Sequence, residues 1–345
     1  IHFSNTETIM KTKKHRIRFI LLILLILYII VALLPRPQSL HIDNPFRADS
    51  SMPMLVAHGG GNGEFPDNTL EAFYNAYSVD PRAMMETDVN LTKDGVLILS
   101  HDTTLDRKTN VTGPISEWNY SDLIAEKVDF GYDNPTIDET LNGDRQRYKD
   151  GNGMEKTPLD VAYPEGVFPR DETVFLATTL EDLLVAFPQN LISVEIKQPG
   201  VLGQKALQET LRLLEQYDAF DRVVIGSFYP EIHDTLLKLQ KDGQLPAELL
   251  FSANESHVTK FFILQLLKLD VFFDDNICIL QIPTEEYGIP LNIRSLVKAA
   301  HKHNIAVQYW TINEEEEMRH IIEIGADGIT TDYPHLLKEV YENSR

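Results

Sequence analysis

The sequence predicts a (β/α)8 TIM barrel with a capping insertion, preceded by one N-terminal transmembrane helix. Three observations carry this. From Met54 onward, short β-rich runs alternate with amphipathic segments, as βαβ units around a parallel sheet do. The 345-residue chain is long for one ordinary domain, but α/β barrels reach about 250 residues or more as a single unit. Residues 19–34 are sixteen consecutive residues without a charge.

The expected strands cover residues 54–58, 84–89, 96–100, 191–196, 223–227, 249–251, 278–282, 305–310 and 328–331. The expected helices cover 70–77, 180–187, 203–217, 230–241, 256–269, 293–303, 314–324 and 334–342. One short strand is then surplus to the eight of a barrel. Residues 256–269 with Val271, Phe272 and Phe273 form an apolar stretch, but Lys260, Lys268 and Asp270 interrupt it. It is read as barrel helix and strand, not as a second membrane span. Residues 103–175 break the rhythm with many Gly, Pro and charged residues. A loop this long in a compact domain is usually functional, and it is read as an insertion capping one end of the barrel.

Ahead of the barrel, residues 1–18 read as a basic cytoplasmic tail, 19–34 as the membrane helix and 35–52 as a linker; the barrel occupies 53–345. About 20 apolar residues span a bilayer, so the helix is short, with Arg16 and Arg18 reaching back to the interface. The basic cluster before it keeps the N-terminus cytoplasmic and places the barrel outside. A cleaved signal peptide would share the basic start and apolar core. However, Pro35-Arg36-Pro37 follows without a small-residue cleavage site. Met10 stands just before the basic cluster, so residues 1–9 are read as upstream sequence or as an artificial addition.

Residues 1–36 hold six of the 31 basic residues and one of the 52 acidic ones. The body is therefore strongly acidic, which argues against nucleic acid as a partner. Oligomeric state is not legible. A single cysteine, Cys278, excludes an intrachain disulfide; its apolar surroundings suit a small core residue.

The chemistry sits at the expected strand ends. His58 closes the first strand and precedes Gly59-Gly60-Gly61-Asn62-Gly63; Glu86 and Asp88 lie on the second; His101-Asp102 follows the third; Glu195 and Lys197 lie on the fourth. Residues two apart on a strand share a face. Three converging carboxylates repel one another unless a cation sits among them, and oxygen ligands suit Mg²⁺ or Ca²⁺. Two imidazoles can give and take a proton across a phosphorus. The glycine-rich turn, beginning at Gly59, lets backbone N–H groups approach a phosphate oxygen. Lys197 can stabilise a developing oxyanion. Singly, each feature is commoner as a structural residue or a turn; together they suit phosphodiester cleavage.

Val56-Ala57-His58-Gly59-Gly60, the run from Pro66 to Phe73, Glu86-Thr87-Asp88-Val89, Leu91-Thr92-Lys93-Asp94-Gly95 and the run from His101 to Arg107 resemble the opening of the glycerophosphodiester phosphodiesterase family. Val194-Glu195-Ile196-Lys197, Ser227-Phe228, Trp310-Thr311-Ile312-Asn313 and the run from Gly325 to Pro334 resemble its later motifs in the same order. The resemblance implies a divalent metal on Glu86, Asp88 and Glu195. It implies His58 and His101 as the acid/base pair, Lys197 near the phosphate and Trp310 lining the site. The implied products are glycerol 3-phosphate and an alcohol. Alternative readings are a lysophospholipase D, a phosphatidylinositol-type phosphodiesterase or a non-catalytic envelope-binding protein. Asn68 has two readings, a site residue or the cap of the helix behind it. Trp310 is wall or core, and Asp332 holds the last loop. The family's His-Arg-Gly is His58-Gly59-Gly60 here, so an arginine is missing. Arg107, Lys108 and Arg170 in the insertion are candidates to replace it.

Overall fold

The computed structural model describes residues 3–38, 43–48, 52–134, 145–246 and 249–344. In chain order its strands are β1 Met54–His58, β2 Met84–Leu91, β3 Leu97–Leu99, β4 Ile192–Ile196, β5 Val223–Gly226, β6 Leu250–Phe251, β7 Ile279–Ile282, β8 Glu285–Glu286, β9 Ile289–Pro290, β10 Ala306–Tyr309 and β11 Gly328–Thr331. The helices are α1 Phe3–Leu33, α2 Leu70–Val79, α3 Tyr120–Ala125, α4 Leu180–Ala186, α5 Gly200–Gln216, α6 Pro230–Lys241, α7 Glu255–Leu266, α8 Arg294–Lys302, α9 Glu315–Ile324 and α10 Pro334–Asn343. Each expected helix and strand of the barrel is present, with ends shifted by a few residues, except the strand expected directly after residue 269.

Eight strands run parallel in the order β6-β5-β4-β2-β1-β11-β10-β7. A parallel bridge from Ser252 to Ile279, with the Ala253 N–H donating to the Ile279 carbonyl at 3.0 Å, brings the two ends together. The result is a nearly closed TIM barrel. Outward-facing Leu55, Met85, Val194 and Ile225 pack with Phe73, Leu183, Leu207 and Ile232 of the surrounding helices in one continuous core.

The barrel interior is layered. Val56, Met84, Val224, Leu250, Ile279 and Ala306, near the amino-terminal ends of their strands, form an apolar plug around Phe46. Phe46 is fully buried and comes from the stretch expected to be a linker. Residues 43–48 are instead fastened down: Asn44 donates to the carbonyls of Cys278 at 2.6 Å and Asn304 at 2.8 Å, and Arg47 pairs with Asp327 at 3.0 Å. Above the plug lies a polar layer, in which Gln281 accepts from Ser252 at 2.8 Å and donates to Ser193 at 3.1 Å. The reactive residues occupy the next level, at the carboxyl-terminal mouth, as in barrel enzymes generally.

The surplus strand, β3, pairs antiparallel with β2 and stands off the barrel. It opens the insertion, which also contains α3, absent from the sequence expectation. The insertion has a small core of its own, including Phe65, Ile98, Ile115, Leu123, Phe130 and Phe175. It is fastened over the turn after β1, where the Tyr148 hydroxyl donates to the Asn62 carbonyl at 2.6 Å and the Gly151 N–H to the Gly63 carbonyl at 2.8 Å. Part of the insertion, 135–144, lies outside the described residues. One further expectation is corrected, and one feature is new. Residues 270–272 form a 3-10 turn, not a strand, because α7 ends and the chain must reverse. The loop after β7 forms the short hairpin β8–β9. Within α1, His15–Leu33 is long and apolar enough to cross a membrane.

Candidate active site

Sheet register builds the centre. His58 pairs with Glu86, and Asp88 with Glu195, across three neighbouring strands. The two-residue period of β2 puts Glu86 and Asp88 on the inner face. The intervening Thr87 is buried.

His58 ends β1, and Asp332 follows the end of β11 beside it. His58 Nδ1 lies 2.7 Å from Asp332 Oδ1. Asp332 is fixed in turn by Asn313, whose amide donates to Asp332 Oδ2 at 2.7 Å and whose carbonyl accepts the Asp332 N–H at 3.0 Å. Burial disfavours the imidazolium. The Asp332 hydrogen bond and the charges of Glu86, Asp332 and Asp88 override it and raise the His58 pKa to about 9.

His101 arrives by a different route from the one expected. It does not end a barrel strand. β2 overshoots the mouth to Leu91, and antiparallel β3 returns alongside it. The Ser100 N–H then donates to the Asp88 carbonyl at 3.0 Å, which delivers His101 to the level of the carboxylates. His101 Nδ1 lies 3.0 Å from Asp102 Oδ1, and Arg107 Nε donates to Asp102 Oδ2 at 2.7 Å. The Asp102 hydrogen bond raises the His101 pKa against partial burial. Each imidazole thus has its Nδ1 occupied by an anchored carboxylate. That fixes the ring and leaves Nε2 for other work.

Lys197 Nζ lies 3.1 Å from Asp88 Oδ1 and 2.8 Å from Glu195 Oε1, and 5.7 Å above the Phe228 ring. Burial opposes its charge, but Asp88 and Glu195 hold its pKa above the usual lysine range. One lysine does not balance three acids. Burial and the Asp88 charge raise the Glu86 pKa, and burial raises that of Glu195 although Lys197 opposes it.

These groups line a cavity of about 850 Å³ at the mouth, together with Trp310. Trp310 is 37% exposed, which makes it wall rather than core. Two further expected residues stand behind the cavity. Gly59 is expected to face a phosphate oxygen; its N–H instead donates to Glu86 Oε2 at 3.0 Å. Gly60 and Gly61 spend their N–H groups on the carbonyls of Ala57 and His58, so the turn is a tight structural one. Gly59 has φ +54°, and a Cβ there would lie 2.8 Å from Asp67 Cβ, so an arginine here would require this loop to shift. Asn68 does not cap α2; Thr69 does, accepting from the Ala72 N–H. Asn68 instead accepts from the Thr87 hydroxyl at 2.7 Å and donates to Asp88 Oδ2 at 3.1 Å, holding a carboxylate in place. None of the three basic candidates lines the cavity. Arg107 holds Asp102, Lys108 pairs with Asp67 at 2.6 Å, and Arg170 binds the Ala177 and Leu176 carbonyls. Sequence reasoning missed the histidine partners Asp332 and Asp102. Their signal, a carboxylate adjoining a motif, is too common to single out without the fold.

The model of the Glycerophosphoryl diester phosphodiesterase family matches residues 58–336. The chain belongs to this family. A glycerophosphodiester phosphodiesterase of Bacillus altitudinis is 24% identical over 302 residues, covering 85% of this chain and 100% of that protein. A lysophospholipase D of Rattus norvegicus is 27% identical over 317 residues, covering 84% and 86%. An Oleispira antarctica phosphodiesterase, solved in complex with the product sn-glycerol-3-phosphate, superposes with a TM-score of 0.58 at 19% identity, covering 84% and 97%. As a glycerophosphoryl diester phosphodiesterase, the protein is a phosphoric diester hydrolase. Enzymes of the family are generally metal-dependent. The donor set in this glycerophosphoryl diester phosphodiesterase fits a hard cation: all the acids are oxygen donors, and they stand under-neutralised. Among the described residues no three His, Cys, Asp or Glu side chains are already gathered round one point; Lys197 stands between Asp88 and Glu195.

Proposed function

We propose that the protein hydrolyses glycerophosphodiesters to sn-glycerol 3-phosphate and an alcohol. The observation that carries this is the pair of carboxylate-anchored imidazoles, His58–Asp332 and His101–Asp102, flanking three acids and a buried lysine at one barrel mouth. Glu86, Asp88 and Glu195 would hold a divalent ion, Mg²⁺ or Ca²⁺. When bound, it supplies charge stabilisation to the phosphoryl oxygens. Lys197, held beside Asp88 and Glu195, adds positive charge to the same mouth. One histidine takes the proton of the attacking oxygen, and the other gives a proton to the departing alkoxide. Asn68 and the Gly59 N–H fix Asp88 and Glu86 in the positions from which they would hold the ion, and Trp310 walls the substrate in.

We assign α1 as an uncleaved anchor, with the basic residues before it on the cytoplasmic side and the barrel outside. Its support is that Tyr28 and Arg36, at the end of the helix and just beyond it, bond the barrel itself: Tyr28 to the Leu267 carbonyl at 2.9 Å and Arg36 to Asp270 at 2.7 Å.

The test is product identity. Glycerophosphocholine with Mg²⁺ or Ca²⁺ gives glycerol 3-phosphate and choline on this reading. Release of glycerol and phosphocholine instead would place the scissile bond on the wrong side of phosphorus and overturn it.

A further inference from the structure

The cavity at the mouth does not end with the polar groups. Away from Lys197 it continues along one face of α7, where Val258, Phe262 and Leu266 recur every fourth residue with Thr259 and Ile263 beside them. That is the repeat of a single helix face. Phe261 and Gln265 of this helix are buried; Val258 and Phe262 lean partly on the core and present the rest of their surface to the cavity, while Ile263 and Leu266 are left open. Ile263 is 49% exposed and Leu266 63%. From residue 258 to 266 the helix rises about 12 Å. The other wall comes from the β8–β9 hairpin and the residue after it, through Tyr287, Ile289 and Leu291.

The far end of this trough meets the membrane helix. Tyr28 of α1 donates to the carbonyl of Leu267, the residue after the trough's last. Three residues further on, Asp270 takes both Nε and an Nη of Arg36 at 2.7 and 3.0 Å in a buried pair. An open apolar strip of this kind on a soluble surface marks a binding site for something apolar. This one is continuous with the reacting groups at one end and with the anchor at the other.

We propose that the trough along α7 binds the hydrocarbon chain of a single-chain glycerophospholipid, with its phosphodiester at Lys197 and its chain directed toward the membrane holding α1. This rests on the phosphodiesterase reading and on α1 lying in a bilayer. The substrate class is then lysophospholipid. One trough accepts one chain. Hydrolysis breaks the bond between phosphorus and the head-group oxygen. The water oxygen bonds to phosphorus, one water proton goes to the departing head-group alkoxide, and the products are a lysophosphatidate and the free alcohol.

The experiment compares two probes on the full chain in detergent: glycerophosphocholine, which has no hydrocarbon chain, and palmitoyl lysophosphatidylcholine. Choline release is measured for the wild type and for the double variant Ile263→Gln, Leu266→Gln, whose side chains are exposed and hydrogen-bond none of the reacting groups. The inference expects the variant to lose tenfold or more in kcat/KM on the lysophospholipid, chiefly through KM, while glycerophosphocholine turnover stays within twofold. The unchanged turnover also reports a folded enzyme. In a wild-type series of lysophosphatidylcholines, kcat/KM should rise with chain length by up to ~3–4-fold per methylene buried, then level off. An equal loss on both probes, no loss on either, or a flat chain-length series overturns the trough while leaving the phosphodiesterase reading standing. No choline from either probe in the wild type overturns that reading and the trough with it.

Discussion

Removing Lys197 is the sharpest perturbation of the centre. Its ammonium is the cation paired with Asp88 and Glu195, at 3.1 and 2.8 Å, and its side chain is only 15% exposed. Deleting one partner of a buried pair costs about 3–5 kcal/mol, because the remaining charge is left uncompensated. Here the lower end applies. Glu86 already has a raised pKa and relieves part of the strain by taking up a proton. For a domain of this size ~3 kcal/mol lowers Tm by roughly 6–12 °C. Lys197→Met should show that drop in EDTA. Mg²⁺ or Ca²⁺ at a hundred times Kd should return about 2.7 kcal/mol by mass action, and should stabilise the variant more than the wild type. Turnover should still fall by about 10²-fold if, as proposed, Lys197 supplies charge to the phosphoryl oxygens. Thermal unfolding in EDTA and in each ion, with kcat measured in parallel, provides the assay. An unchanged Tm in EDTA, or a metal increment no larger than that of the wild type, would refute the view that Lys197 and the ion answer the same carboxylates.

Three further outcomes follow from other parts of the molecule. Phe46→Ala empties the centre of the apolar plug and should cost about 3–5 kcal/mol in chemical denaturation; a loss under 1 kcal/mol would show that residues 43–48 do not seal the barrel. His233 is buried 4.5 Å from His257 and edge-on to Phe251. Burial, then the neighbouring His257, pushes its pKa down to about 4. Above pH 6.5 the ring is neutral whether folded or unfolded. Below it the unfolded chain takes a proton that the folded one refuses, so stability drains away between about pH 6.5 and 4, by roughly 1–2 kcal/mol at pH 5 after solvent screening. His233→Phe should remove that part of the loss between pH 8 and pH 5; an identical loss in both proteins would contradict it. Protease added to spheroplasts should digest the barrel; full protection of a chain that stays membrane-bound would reverse the assigned topology.

The barrel was legible because its evidence is periodic. Strands such as 54–58 and 328–331 are apolar runs bounded by turn residues, and α8 and α9 carry strong one-sided patterns. The carboxylates and Lys197 were legible for the same reason, since a strand fixes which residues share a face. What depended on tertiary geometry was not. His101 reads as the end of a third barrel strand, yet it reaches the mouth through an antiparallel return that no local signal distinguishes from a barrel strand. Gly59 suggests a phosphate cradle, but its N–H is taken by Glu86, 27 residues away. Asn68 looks like a helix cap because it precedes a helix, whereas Thr69 fills that role and Asn68 turns to Asp88. Phe46 sits among Pro, Ser and Asp in a stretch with the composition of a linker, and only the open amino-terminal end of the barrel explains its burial.

The central claim is that His58 and His101 move the protons of phosphodiester hydrolysis at this mouth. It is tested most directly by ³¹P NMR of the purified full chain with a glycerophosphodiester and Mg²⁺ or Ca²⁺. In the wild type the diester resonance should give way to the monoester of glycerol 3-phosphate. His58→Ala and His101→Ala should each slow that conversion by ~10²-fold or more while the proteins unfold at temperatures close to the wild type's. Monoester appearing at the wild-type rate in either variant, or no monoester from the wild type with either ion, would contradict the account.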